Sequence, residues 1–400
     1  MKPSLFTAHD ALAGWQAELN QLKEQARWRQ VRTPTAAQGP FLWQDGHRLV
    51  NFSGNDYLGL AGDAPVAREL SRHFEALVQQ ESLPLWGSTA SRLMAGASPW
   101  HARLESALAT MYPGRQTLLF NSGWHANTAL LGALAGPKDV IFADRFIHAS
   151  LVDGWRLSGA RLHRYRHGNA SHLEDLLKRY RGQHERAFVV TESLFSMDGD
   201  EADLASLIEL KNRYEALLVV DEAHAFGVLG PQGAGVAARD GLSDQVDIAV
   251  GTFGKAVASA GAFVAADPVV INYLIQKSRP LIFSTALPPA FAIVTLFHLS
   301  LEAELARRRL ELLSLARKFH TEAQTRGWTI PGQSWIAPVI LGTDSRAVEA
   351  ANRCIEAGLS VLPIRPPTVP EGSARLRLSL RADMTPEHWE PLWTVLEGLE

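Results

Sequence analysis

One lysine stands where lysines are unusual. In GTFGKAVASAGAF (251–263), Lys255 follows the apolar run DIAVGT (247–252) and is surrounded by Gly251, Gly254, Ala256, Ala258 and Gly261. Lysine side chains ordinarily occupy solvated faces. One held in a tight, mostly apolar turn loses part of its preference for the charged form, and its amine can form a Schiff base. The chain has eight lysines, and Lys2, Lys23, Lys138, Lys178, Lys211, Lys277 and Lys318 fall in a terminus, a turn or polar helical faces. A phosphate-binding P-loop is excluded, because that pattern needs Gly six residues before the lysine and Ser or Thr after it, and Ala249 and Ala256 stand there. A structural lysine closing a turn is the competing reading of this residue alone.

Other groups strengthen the chemical reading. Asp221 ends the apolar run of VVDEAHAFG (219–227), with His224 three residues later. An aspartate there can keep a pyridine nitrogen protonated and make the ring an electron sink, with His224 reaching a neighbouring ring oxygen; an aspartate capping the next helix is the alternative. In FNSGWHAN (120–127), Ser122-Gly123 end a strand and open a helix, where backbone N–H groups can cradle a phosphate. Thr252 adds a hydroxyl near such a phosphate. His148, in DRFIHAS (144–150), follows another strand, where an imidazole can stack on a flat cofactor or simply lie at the surface.

These residues need a frame that brings them together. The runs 117–120, 139–144, 187–192, 216–222, 247–252 and 261–266 read as buried strands, with helical patterns at 171–180 and 202–214 between some of them. The alternation predicts an α/β fold, a mixed and mostly parallel sheet covered on both faces. In such sheets ligands collect beyond the carboxyl ends of the strands, which is where the candidates fall. Residues 9–30 read as an amphipathic helix whose Arg27, Arg29 and Arg32 form a solvated edge or an anion contact. Pro288-Pro289 marks a boundary before a helix-like segment over 290–326, with Arg307-Arg308-Arg309 on a solvated face. The remainder reads as a smaller α+β domain. The expected division is 1–60 for an N-terminal helix and short strand, 61–289 for the large domain and 290–400 for the small one.

Composition narrows the class. Hydrophobic content of 46%, charge of 20% and a net charge of −3 describe a soluble globular chain with no basic footprint for nucleic acid. Cys354 is the single cysteine, so no internal disulfide and no zinc spacing is expected. The start of the chain carries no long apolar segment, and no run approaches 18 apolar residues, so neither a leader nor a membrane span is expected. A soluble, cytoplasmic protein is the resulting expectation.

Taken in order, NFSGNDYLGL (51–60), GSTASRLMAGASPWHARLE (87–105), SGWHAN (122–127), DRFIHAS (144–150), TESLFSMDGD (191–200), DEAHAFGVLG (221–230), GTFGKA (251–256), FSTALPPA (283–290) and RPPTVPEGSARLRLSL (365–380) resemble the pyridoxal 5'-phosphate (PLP)-dependent α-oxoamine synthases. These belong to the fold-type I superfamily, and the resemblance covers roughly residues 45–400. It implies a homodimer with a shared active site. Lys255 would be the Schiff-base lysine and proton carrier, Asp221 the partner of the pyridinium, and His148 the stacking residue. Ser196 and His224 would face the phenolic oxygen. Gly123, Trp124 and Thr252 would hold the phosphate, helped by Ser284 and Thr285 of the partner subunit. Asn55 and Arg377 would bind the amino-acid carboxylate. Members condense an amino acid with an acyl thioester and release CO2. RPPTVP and FSTALPP resemble the branch joining alanine to a pimeloyl thioester, carried on CoA or a carrier protein, in biotin synthesis; Arg365 and Thr368 would then lie near the acyl chain.

Overall fold

The computed structural model describes residues 8–80 and 85–399; Lys2 and the start of the chain lie outside them. Two compact units divide the chain: Asn55–Ser314 with Arg381–Asp383, and Met1–Gly54 with Leu315–Leu380 and Met384–Glu400.

A seven-stranded sheet forms the frame of the larger unit. Its strands are β1 (Gln116–Phe120), β2 (Val140–Asp144), β3 (Arg161–Tyr165), β4 (Ala187–Glu192), β5 (Leu217–Asp221), β6 (Ile248–Thr252) and β7 (Ala262–Ala266). They lie in the order β1-β7-β6-β5-β4-β2-β3. Only β7 runs against its neighbours, pairing antiparallel with β1 and β6, while the remaining pairs are parallel. Six strands therefore deliver their carboxyl ends to one edge.

The strand sequences explain this burial. Ile141, Ala143, Phe188, Val190, Val219, Ile248, Val250 and Val264 alternate along their strands and join one cluster with Leu130, Leu131, Leu151, Ile271 and Leu274. Those last residues come from the helices Gly123–Leu134, Ala149–Ser158 and Pro268–Lys277. Each fully buried Val, Leu, Ile or Phe side chain contributes about 1.5–3 kcal/mol. Around Phe263 an aromatic cluster forms, with Phe226 at 4.9 Å, Tyr112 at 5.5 Å and Phe253 at 5.6 Å between ring centroids. Gly251 belongs to that packing, because a Cβ on it would stand 2.3 Å from the Phe263 ring. Side-chain caps start the helices where the sequence changes character: Ser122, Asn169, Asp203 and Asp267 each accept a backbone N–H of the first turn.

The other unit carries two small sheets. One joins Ala36–Gln38, Phe41–Gln44, His47–Asn51 and Leu359–Ser360; the other joins Ile336–Gly342, Ala374–Ser379 and Pro363–Ile364. Helices Asp344–Glu356 and Glu390–Glu397 belong to the same unit.

Three expectations are corrected. The N-terminal helix ends at Glu24 rather than near residue 30; Ala26 turns the chain with φ of 55°, and Arg27 pairs with Asp344 and Glu371. The helix expected over 290–326 is two helices, Pro289–Ser300 and Glu302–Thr325, bent by 74°. Arg308 and Arg309 are not solvated, with side chains only 9% and 8% exposed. Arg308 donates to the Leu58 and Gly59 carbonyls at 2.9 and 3.1 Å and pairs with Asp63 and Glu304. Arg309 donates to the Gly227 carbonyl at 2.9 Å. A run of three arginines on a helix points in three directions, and only Arg307 faces solvent here. Among the described residues, no single helix is long and apolar enough to cross a membrane.

Candidate active site

The carboxyl ends of β1, β2, β4, β5 and β6 carry Asn121-Ser122, Asp144, Glu192, Asp221 and Thr252 respectively. Lys255 lies three residues past β6, half-buried, in a turn closed by Ala258 N–H donating to the Lys255 carbonyl at 2.9 Å. Its small neighbours have separate reasons. Ala256 sits under Gly227, where a Cβ would stand 2.8 Å from the Ala256 methyl, and Gly261 (φ +105°) backs onto Leu287. Gly254 alone is exposed, with nothing closer than 3.7 Å to a would-be Cβ.

Asp221 is buried and fully oriented. Asn127 Nδ2 donates to its Oδ2 at 2.7 Å, and Ala223 N–H donates to Oδ1 at 2.9 Å. Asn127 Nδ2 also donates to Ser150 Oγ at 3.0 Å, and Ser150 Oγ lies 2.7 Å from His148 Nδ1. A continuous polar chain thus joins His148 to Asp221. His148 caps its helix by accepting the Ser150 N–H at 3.2 Å. Loss of surrounding water holds its pKa below the usual histidine value; Lys255 adds to the fall and Asp221 opposes it.

Glu192 stands beside Asp221 in register. Burial, then the Asp221 charge, raises its pKa to about 8, against the opposing pull of Lys255 and of the Ser196 and His148 backbones. Ser196 lies in the loop after β4, which folds back through Phe195 N–H to the Asp200 carbonyl at 2.9 Å. Glu222 is buried by the same logic but satisfied, accepting from Ser193 Oγ and from the Val236 and Ala237 N–H groups, each at 3.0 Å in the latter two.

Gly123 opens its helix behind the Ser122 cap, with Thr252 alongside: a Cβ on Gly123 would stand 3.8 Å from Thr252 Cβ. The Thr252 hydroxyl donates to the Gly261 carbonyl at 3.2 Å and accepts the Gly254 N–H at 3.3 Å. Trp124 is 46% exposed, its ring edge-on to His148 at 5.9 Å. Asn121 Nδ2 donates to the Thr285 carbonyl at 2.7 Å, so Ser284-Thr285 of this same chain lie next to the end of β1. His224 is buried, with Nδ1 2.6 Å from Tyr57 Oη, which donates to Asn55 Oδ1 at 3.1 Å.

The remaining candidates belong to the other unit. Arg377 is buried and donates to Ser379 Oγ at 2.7 Å. Arg365 donates to the Ala26 and Trp28 carbonyls; burial, then Arg29, lowers its pKa. Thr368 is exposed.

This donor set fits PLP. A lysine amine suits an aldehyde, and Asp221 keeps lone pairs for a ring N–H beyond its two donors. A helix N-terminus with a threonine beside it suits a phosphate dianion. Asn127 Oδ1 is buried without a partner, consistent with an amide committed to orienting Asp221.

The chain belongs to the aminotransferase class I and II family, whose model matches residues 47–396, and its fold is that of the fold-type I PLP-dependent transferases. Within that class it is an acyltransferase of the α-oxoamine synthase kind, similar to 8-amino-7-oxononanoate synthases. It is 43% identical over 382 residues to 8-amino-7-oxononanoate synthase of Chlorobaculum parvum, covering 96% of this chain and 97% of the relative. A serine palmitoyltransferase variant from S. paucimobilis with a bound PLP–myriocin aldimine superposes with a TM-score of 0.88 at 27% identity, covering 98% of both chains. The 8-amino-7-oxononanoate synthase of Francisella tularensis superposes at 0.73, with 28% identity and coverage of 88% and 96%.

Sequence reading gave no role to Asn127, Ser150, Glu192, Tyr57 or His167, although all but His167 lie in motifs it singled out. Asn127 had a signal, a lone amide in the apolar helix GWHANTALLGAL. His167 had none: it bridges Asp144 Oδ1 at 2.9 Å and Asp200 Oδ2 at 2.8 Å from a loop with no apolar pattern.

Proposed function

We propose that the protein condenses L-alanine with a pimeloyl thioester, of CoA or of a carrier protein, to give 8-amino-7-oxononanoate, CO2 and the free thiol, as a step of biotin synthesis. The observation that carries this reading is the convergence of Lys255, Asp221, His148 and the Gly123 helix terminus on one sheet edge, in a chain 43% identical to a named synthase.

When bound, PLP supplies an electron sink for negative charge at the substrate α-carbon. Lys255 would provide the amine that holds the cofactor's aldehyde, and the same amine is placed to take the α-proton of the substrate. Asp221, fixed by Asn127 and Ala223, would keep a proton on the ring nitrogen. His148 would cover the ring, and Ser196 and His224 would contact its phenolic oxygen. Gly123, Trp124 and Thr252 would hold the phosphate, with Ser284 and Thr285 of the partner subunit completing the cradle in a homodimer. Asn55 and Arg377 are the proposed carboxylate ligands, Arg offering a bidentate fork; Arg365 and Thr368 are assigned to the acyl chain. The α-carbon bonds to the thioester carbonyl as the thiolate leaves; the substrate carboxyl then departs as CO2, and the electron pair left at the α-carbon takes a proton. A free, buried Cys354 and the absence of other cysteines suit a reducing cytoplasm.

A second reading pairs serine or glycine with another acyl-CoA, and the serine palmitoyltransferase superposition at 0.88 favours it. The test is thiol release from short, pimeloyl and long-chain acyl-CoAs with alanine, glycine or serine. Fastest turnover with alanine and pimeloyl-CoA is expected; preference for serine with a long chain would replace the first reading by the second.

A further inference from the structure

Tyr57 lies at the centre of a buried contact that the proposed chemistry does not use. Its side chain is 0% exposed, and its hydroxyl meets two candidate site residues at once, Asn55 Oδ1 at 3.1 Å and His224 Nδ1 at 2.6 Å. A phenol has one proton to give. The amide oxygen of Asn55 can only accept, so the Tyr57 proton goes there. With the Asn55 amide oxygen turned toward it, the phenol oxygen can then only accept from His224, whose Nδ1 carries a proton.

We propose that Tyr57 is a positioning residue that fixes His224 as the Nδ1–H form and, in the same contact, turns the Asn55 amide so that its NH2 group is the face left for a substrate carboxylate. The proposal deepens the reading of Asn55 and His224 as site residues and rests on it for its functional meaning. The loop carrying Tyr57 is built to hold this register. Asp56 accepts the Leu60 and Ala61 N–H groups at 2.9 and 3.1 Å. Ala382 N–H donates to the Tyr57 carbonyl at 2.9 Å. Arg308 holds the Leu58 and Gly59 carbonyls. The Tyr57 and His224 rings lie 6.1 Å apart at 47°, so the link between them is the hydroxyl contact rather than stacking. A neutral His224 with its proton on Nδ1 offers Nε2 as an acceptor, and a protonated one offers Nε2–H as a donor. Tyr57 therefore decides which nitrogen remains to face the cofactor. Turning the Asn55 amide over reverses the chain, with its NH2 donating to Tyr57 and Tyr57 to His224, and that arrangement would be read as an unprotonated Nδ1.

The experiment uses the full-length protein without and with PLP, 15N-labelled at histidine, and reads the two His224 ring nitrogens by long-range 1H–15N correlation, with assignment by His224→Gln. Protonated Nδ1 in the wild type is the expected result, together with its loss or exchange-averaging in Tyr57→Phe, which keeps the ring and removes only the oxygen. An unprotonated Nδ1 in the wild type, or an unchanged His224 signal in Tyr57→Phe, overturns the proposal. Since the cofactor-free protein gives this readout, failure of the PLP reading leaves it intact. In the loaded protein, Tyr57→Phe should also raise KM for the amino acid about tenfold, as expected for one buried hydrogen bond, and shift the pH dependence of the cofactor's visible absorbance. A KM and a pH profile both equal to those of the wild type would remove the functional part of the proposal.

Discussion

Glu192 and Asp221 stand side by side on adjacent parallel strands, both buried at the carboxyl edge of the sheet. Two neighbouring carboxylates in that setting do not both ionise readily. Asn127 and Ala223 donate to the two oxygens of Asp221, whereas Glu192 Oε1 has no partner, and the Ser196 and His148 backbones do not offset its burial. Glu192 is the one that keeps a proton, with a pKa of about 8.

The pH dependence follows. A carboxyl with a folded pKa of about 8 and an ordinary unfolded value near 4.5 binds a proton only in the folded state across that window. Its contribution to stability is full below about pH 4.5 and declines as pH rises to about 8. Glu192→Gln, an isostere of the protonated acid, should remove this part of the decline. Urea midpoints at pH 5 and pH 8 check it. Equal pH slopes in wild type and variant would mean that Glu192 is ionised in the native protein.

Asp221 is proposed to act through its charge, and Asn127 through the orientation it gives that charge. Asp221→Asn should fold, bind cofactor more weakly and lose on the order of 10²-fold in kcat, the size typical of removing one stabilising group at a reacting centre. Asn127→Ala leaves Asp221 and Ser150 each short of a donor, which should cost about 1–3 kcal/mol of stability. Denaturation curves and steady-state rates measured together separate the two effects.

His167 ties the loop after β2 to the loop after β4, which carry His148 and Ser196. Burial opposes its charge, but hydrogen bonds to Asp144 and Asp200 outweigh that and raise its pKa to about 10. Its stabilisation is complete below about pH 6.5, the unfolded value, and is lost as pH rises through about 10. His167→Gln should therefore destabilise the protein by a few kcal/mol at pH 6, and the difference from wild type should shrink steadily by pH 10. A constant difference across that range would assign His167 a packing role alone.

Arg307 and Arg308 are adjacent in sequence and unequal in consequence. Arg308→Ala removes the donor to Leu58 and Gly59 and strands the partly buried Asp63, for an expected loss of about 3–5 kcal/mol. Arg307→Ala touches only the exposed Glu304 and Glu311 pairs and should stay within about 0.5 kcal/mol. Similar losses by chemical denaturation would contradict the burial difference.

What could be read before folding was the central sheet and the strand ends. Strands such as β4 and β6 are continuous apolar runs, and such runs belong to strands buried on both faces. β3, RLHRY, escaped because it is the edge strand and is half-exposed, so its side chains need not be apolar. Lys255 drew notice through its small neighbours, though the reason differs in part: Gly251, Ala256 and Gly261 are small to pack against Phe263, Gly227 and Leu287, and only Gly254 borders open space. The links among site residues were not legible. Asn127 to Asp221 spans 94 positions and Tyr57 to His224 spans 167, and no local pattern encodes contacts made by sheet order. Arg308 was misplaced for the same reason, since its partners in the loop Leu58–Asp63 lie about 250 residues away.

The central claim is that Lys255 holds the cofactor. It is tested most directly by loading the protein with PLP, reducing with borohydride, and mapping the pyridoxyl group by peptide mass spectrometry. The account predicts the mass increment on the peptide carrying Lys255, and its absence in Lys255→Ala. An increment on any of the other seven lysines, or none at all, would contradict it.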